Sequence, residues 1–228
     1  RILEANGYRV AIVPQPNWRD DLRDFTKLGR PRLFFGVSAG AMDSMVNHYT
    51  ANRRRRSDDA YTPDARAGMR PDYPTIVYTQ ALKKLFPEVP VVIGGIEASM
   101  RRLSHYDYWK DTVCPSILVE SKADILIYGM GEKPIVEIAN GLNNGKQIYE
   151  LTDIKQTAIC LNSKEIPSNP NLELEFILHS HEECVENKKL HAENFKNIEI
   201  ESNKWQGRTL WQKVGNKAVK VNGTNPPM

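Results

Sequence analysis

Two glycines followed by a carboxylate and a hydroxyl, in Gly94-Gly95-Ile96-Glu97-Ala98-Ser99, stand out first as residues able to do chemistry. Glycine lets the chain turn sharply and lets a ligand approach bare backbone. Gly94, Gly95, Glu97 and Ser99 are therefore candidate pocket-edge residues. A second run, Gly129-Met130-Gly131-Glu132, places backbone N–H groups at a helix start, where they can hold an anion or a cofactor edge. Position 134 is proline, so the G-x-G-x-x-G dinucleotide fingerprint is absent. A tight turn with Glu132 favouring the helix N-terminus accounts for the same residues without a ligand. Ser38-Ala39-Gly40 is a third turn of this kind, with Ser38 and Gly40 as candidates.

Three other groupings carry charge or metal-binding atoms. His105-Tyr106-Asp107-Tyr108-Trp109 is a dense polar and aromatic segment, and such loops at strand ends often carry function. His105 and Tyr106 join the candidate cleft; aromatics that merely cover the sheet end are the alternative. Arg53, Arg54, Arg55 and Arg56, with Arg101 and Arg102, are candidates for docking or for gripping an anion. Asp58, Asp59, Asp64 and Asp72 dilute the charge of that loop and make a solvated surface the competing reading. His179, His181, Glu183 and Cys184 sit close in sequence, but on a helix His179 and His181 point about 200° apart. An exposed helix face is the favoured reading there, with His181 and Cys184 or His179 and Glu183 as the minor metal-binding alternative; Cys114, Cys160 and Cys184 are far apart and lack C-x-x-C spacing, so no cysteine-built cluster or zinc site is expected.

Alternating strands and helices must position these turns. Pro90 and three β-branched residues, Val91-Val92-Ile93, predict a strand buried on both faces. Strands are also predicted over Tyr8–Val13, Leu33–Val37 and Ile125–Tyr128, with helices over Ala41–Tyr49, Pro74–Phe86 and Pro134–Leu142 and a short one within Trp18–Leu28. Thr50 to Tyr73 reads as a long loop, and Met100 to Glu120 fits no single element. The pattern implies an α/β fold with a doubly wound, mostly parallel sheet spanning residues 1–145. Its ligand crevice should lie beyond the strands' carboxyl ends. Residues 146–228 read as a helical and extended connector, with a charged helix from about Ser168 to Phe195 and a strand at Ala218–Val221. Arg1 to Gly7 reads as the tail of a helix closed by Asn6-Gly7.

Composition sets outer limits. A 40% hydrophobic and 26% charged chain of 228 residues can bury one large core. No apolar run is long enough to span a membrane. A net charge of +3 permits an anionic partner without requiring one, and three scattered cysteines suit a reducing cytoplasm.

Beyond these readings, three long strings resemble one family. They are Leu33-Phe34-Phe35-Gly36-Val37-Ser38-Ala39-Gly40-Ala41-Met42-Asp43-Ser44-Met45, then Arg56-Ser57-Asp58-Asp59-Ala60-Tyr61-Thr62-Pro63, then Ile96 through Trp109. With Asn225-Pro226-Pro227 they are similar to the N-terminal, cobalamin-binding-like region of radical S-adenosylmethionine (SAM) proteins of the YgiQ type. The resemblance implies a Rossmann- or flavodoxin-like accessory domain that binds substrate or cofactor. It also implies a further strand before Arg1 and, after Pro227, a radical SAM barrel in the same polypeptide. That barrel's C-x-x-x-C-x-x-C motif would hold the [4Fe–4S] cluster, leaving this chain inactive alone. Cobalamin is a possible ligand, although no D-x-H-x-x-G motif is present. A nucleic-acid- or protein-binding module built on Arg53–Arg56 is the alternative function.

Overall fold

A β-branched run that is apolar on both faces is stable only inside a sheet covered on both sides. The computed structural model, which describes residues 1–224, puts Val91-Val92-Ile93 in that position. In chain order the first elements are α1 (Ile2–Ala5), α2 (Arg23–Thr26), β1 (Phe35–Ser38), α3 (Ser44–His48), α4 (Pro74–Leu85), β2 (Val91–Gly94) and α5 (Gly95–Met100). A small hairpin follows, β3 (His105–Asp107) and β4 (Thr112–Cys114), then α6 (Ile117–Ser121), β5 (Ile125–Ile127) and α7 (Glu132–Asn143). The last part holds β6 (Thr157–Asn162), β7 (Glu175–Ile177), α8 (His181–Glu186), α9 (Lys188–Ser202), β8 (Thr209–Val214) and β9 (Lys217–Val221).

Seven strands form one mixed sheet in the order β1-β2-β5-β6-β9-β8-β7. β1, β2 and β5 run parallel, with Ser38 opposite Gly94 and Val92 opposite Ile125. Side chains alternate across this sheet. Val91, Ile93 and Leu126 face a core shared with Tyr78 and Leu82 of α4, while Val92, Ile125 and Ile127 face Ile138 of α7. Helices thus cover both faces, which makes the domain α/β, the class the residue pattern predicts.

Residues after 145, expected as a connector, continue the same sheet. β6 pairs antiparallel with β5, and β9 with β6. Ala158, Leu210, Val219 and Val221 enter the core of Val91 and Ile93. Thr157–Asn162 forms β6, and β9 encloses the strand predicted at Ala218–Val221. The long charged helix does not form as expected. Glu175–Ile177 is a strand, and Ser180 starts α8 through a capping box with Glu183. Asn187 then breaks the helix and caps α9.

Tyr8–Val13 is not a strand: Ile12 is 82% exposed, and Tyr8 bonds Asn140 of α7 instead. Its β-propensity is real, but the segment does not pair with β1, the end strand of the sheet. The short helix within Trp18–Leu28 shrinks to α2, and Ala41–Tyr49 to α3, whose start Asp43 fixes by accepting from Met45 and Val46. Asn225-Pro226-Pro227 lies outside the described residues.

Glu201 shows how firmly the last third is tied in. Its buried carboxylate accepts from Arg208 Nη2 at 2.6 Å, the Arg208 backbone N at 3.0 Å and Lys204 Nζ at 2.7 Å. Burial by itself pushes this carboxyl up, but Arg208 and Lys204 outweigh it and hold the pKa down at about 2. Because the folded value lies below the unfolded value of about 4.3, the stabilisation is complete above that value and disappears as pH falls through about 2. We expect acid unfolding to steepen in this window and Glu201→Gln to flatten it, read by circular dichroism against pH. A fragment ending at residue 145 should lack a cooperative melting transition that residues 1–224 possess, since β5 would be left as a bare apolar edge.

Candidate functional site

The carboxyl ends of β1, β2 and β5 meet at one edge, and the glycines are what allow it. Gly95 has φ +86°, and a Cβ there would sit 2.7 Å from Ser38 Oγ. A Cβ on Gly94 would touch the Ile127 carbonyl at 3.5 Å. The turns after all three strands are therefore in contact. Ser38, Gly40, Gly95, Gly129 and Glu132 are exposed, Gly94, Ser99 and Gly131 half-buried. Around them project Met42, Ile96, Met100 and Met130, the last 74% exposed. The edge is an open apolar ledge of bare backbone rather than an enclosed pocket. A groove of about 640 Å³ lies at the opposite end of β5, lined by Asp124, Tyr149, Asn162 and Lys217, and includes none of these turns.

Glu97 does not line this ledge. It is 1% exposed, and its two oxygens accept from Ser44 N and Thr75 N, both at 3.1 Å. These are orphan donors in the first turns of α3 and α4. The carboxylate therefore holds two helix N-termini together, where the backbone dipoles favour a negative charge.

The arginines divide into two groups. Arg53, Arg54, Arg55 and Arg56 are exposed. Arg101 and Arg102 are internal, because each has partners within the fold. Arg101, 6% exposed, pairs with the Asp43 carboxylate. Burial opposes its charge, yet Asp43, Glu97 and Asp107 together raise its pKa. Arg102 donates to the Ser99 carbonyl at 2.7 Å and covers the Tyr128 ring, and burial lowers its pKa.

The loop from Thr50 to Tyr73 has its own polar anchor. Asp59 is 2% exposed and accepts from Arg70 Nε at 2.9 Å and Nη2 at 3.1 Å, and from Asn47 Nδ2 at 2.7 Å. Burial would raise the Asp59 pKa, but these bonds lower it overall. At the loop's tip, Arg53 stacks on Tyr108 and the Tyr108 hydroxyl donates to the Ala51 carbonyl at 2.7 Å. The basic loop and the aromatic segment thus meet.

That aromatic segment is the β3–β4 hairpin. Tyr106 is exposed and pairs with Asp111, while His105 is half-buried. The hairpin register sets His105 directly opposite Cys114 and Asp107 opposite Thr112. Donor atoms of His105, Asp107 and Cys114 lie within 4.8 Å of one another. Cysteine spacing could not reveal this cluster, since one cysteine is joined by residues from the facing strand. The alternation of His105 and Asp107 onto one face was the available signal. The metal-binding side-chain atoms of His179, His181, Glu183 and Cys184 turn to separate partners: His179 bonds Glu193, His181 meets Ser104, Glu183 bonds Ser180, and Cys184 accepts from Asn194.

Comparison with known proteins places this architecture. The family model described as "Radical SAM N-terminal" matches residues 1–228, and the chain belongs to that family. It is 62% identical, over all of its length, to a UPF0313 protein of Porphyromonas gingivalis and 58% identical to one of Bacteroides thetaiotaomicron. Over 70% of its length it is 59% identical to the UPF0313 protein YgiQ of Escherichia coli K12. The match covers 36%, 38% and 21% of those proteins, so the chain spans little more than a third of its longest-matching relatives. In them this region is the N-terminal part of one polypeptide. No solved structure matches the chain. No helix among the described residues is long and apolar enough to cross a membrane.

Two carboxylates in this region should respond differently to substitution. Glu97→Ala leaves two buried N–H groups unpaired and removes the countercharge near Arg101. We expect a loss of about 3 kcal/mol or more in urea unfolding. Glu132→Ala, at the exposed start of α7, should cost under about 1 kcal/mol.

Proposed function

We propose that this chain is the N-terminal substrate- or cofactor-binding domain of a radical SAM enzyme, and that its glycine ledge faces the radical SAM region of the same polypeptide. In that reading the other region holds the [4Fe–4S] cluster and S-adenosylmethionine, which supply the radical chemistry. The residues of this chain do not fit the cluster. Cys114, Cys160 and Cys184 lie on β4, β6 and α8, burial raises the pKa of all three thiols, and no group of three cysteines forms among the described residues. Three free thiols fit a reducing compartment, and the cytoplasm is the proposed location.

The observation that carries the reading is the ledge itself. Met42, Ile96, Met100 and Met130 are exposed around turns held rigid from below. Fully burying such a side chain is worth about 1.5–3 kcal/mol, and a patch of several on one edge marks an interaction surface. Bare backbone at Gly94, Gly95 and Gly129 lets a flat ligand, the corrin of cobalamin among the candidates, sit between ledge and partner region. The alternative, RNA docking through Arg53–Arg56, keeps four exposed guanidiniums but cannot use Arg101 and Arg102, which are committed internally.

Hydrogen exchange on the full-length protein and on this chain alone tests the proposal. We expect amides in 38–42, 94–100 and 129–132 to be protected at least tenfold more in the full-length protein, and Ile96→Asp with Met130→Asp to abolish the difference. Equal protection in both would remove the ledge as the meeting surface. Salt-sensitive RNA binding lost with Arg53–Arg56 substitutions would favour the alternative.

A further inference from the structure

The hairpin beside the start of α4 gathers three different metal-binding donors. His105 and Cys114 are paired across β3 and β4, and Asp107 is two residues on from His105, on the same face. Donor atoms of all three lie within 4.8 Å of one another. Tetrahedral bonds of about 2.0–2.3 Å put ligand atoms roughly 3.3–3.8 Å apart, so closure needs shifts of about 1 Å.

We propose that His105, Asp107 and Cys114 form a binding site for a divalent transition-metal ion, with zinc best matched to the sulfur, nitrogen and oxygen donors. The outer contacts support this assignment independently of the cluster itself. The ring nitrogen Nδ1 of His105 lies 3.1 Å from the Leu103 carbonyl, which can only accept. Nδ1 therefore carries the hydrogen and Nε2 keeps its lone pair, the arrangement usual for a metal-binding histidine. Asp107 is 3% exposed and oriented by Trp109 N at 2.9 Å, Lys110 N at 3.0 Å and the Tyr73 hydroxyl at 2.7 Å. Such contacts fix a ligating carboxylate without using all its lone pairs. Cys114 is 5% exposed, and among the described residues its thiol is free.

On binding, the metal displaces the thiol proton to solvent and the thiolate takes its place as ligand. Three protein ligands leave a fourth tetrahedral position for water or substrate.

The test uses the full-length protein, loaded with zinc alone and dialysed against metal-free buffer. Zinc is counted per chain, and X-ray absorption at the zinc edge reads the neighbours, undisturbed by iron. The proposal expects one zinc with a single sulfur at about 2.3 Å and nitrogen or oxygen at about 2.0–2.1 Å. Cys114→Ser should remove the sulfur and lower affinity at least tenfold, whereas Cys160→Ser should change neither. His105→Ala, at a half-buried position, gives a second variant if Cys114→Ser does not fold. Added zinc should raise the melting temperature of the parent protein but not of His105→Ala. Failure of the parent protein to hold zinc, or an unchanged sulfur neighbour in Cys114→Ser, would overturn the proposal.

Discussion

A single buried carboxylate sets the geometry on which this domain depends. Glu97 projects from α5, the six-residue helix that follows the Gly94-Gly95 turn, and joins the first turns of α3 and α4. Those helices follow β1 by separate stretches of chain, so the contact closes a circuit of β1, α3, α4, β2 and α5. A charge so placed is tolerable only because helix N-termini and nearby Arg101 compensate for lost water. Arg101 in turn binds Asp43, the cap of α3. Sequence-distant polar groups thus lock the turn region from beneath.

The locked platform explains how exposed and buried functions are separated. Polar groups that would be attractive at a binding surface, Glu97, Arg101 and Asp43, are consumed in holding it. What remains outside is mostly backbone and apolar side chain, with Ser38 and Glu132 among them, which suits a surface completed by another part of the polypeptide. The long loop follows the same rule: Asp59 and Arg70 are spent inside, leaving Arg53–Arg56 at its tip. Arg53 then reaches the hairpin by stacking on Tyr108. The hairpin is also tied to α4 through Tyr73 and Asp107, so loop, hairpin and ledge share one support.

Placing the second half of the chain in the same sheet has a mechanical consequence. β6 covers what would otherwise be the open edge of β5, β9 extends the sheet beyond β6, and side chains of β6 enter both core layers. The carboxyl-end ledge is thereby borne by a sheet of seven strands rather than three. A wider, fully covered sheet resists shear at its edge, which favours a rigid surface for docking.

Local sequence determined the elements whose signal is complete in a few residues. Val91-Val92-Ile93 and Ile125-Leu126-Ile127 could only be buried strands, Pro74 could only start a helix, and the Gly-containing turns could only lie at strand ends. The three turns and the α/β class were therefore legible, and the three family-like strings pointed to the radical SAM N-terminal family. Tertiary structure decided everything that needs a partner. Tyr8–Val13 had the propensity of a strand but is held against α7 by Tyr8 instead of pairing with β1, whereas Glu175–Ile177, inside a charged stretch, pairs with β8. Glu97 and Arg101 looked available because sequence shows charge but not burial, and their partners lie 22 to 58 residues away. His105, Asp107 and Cys114 became a cluster only through hairpin register, because donor convergence is a property of distance in space and spacing along the chain carries it only within one element.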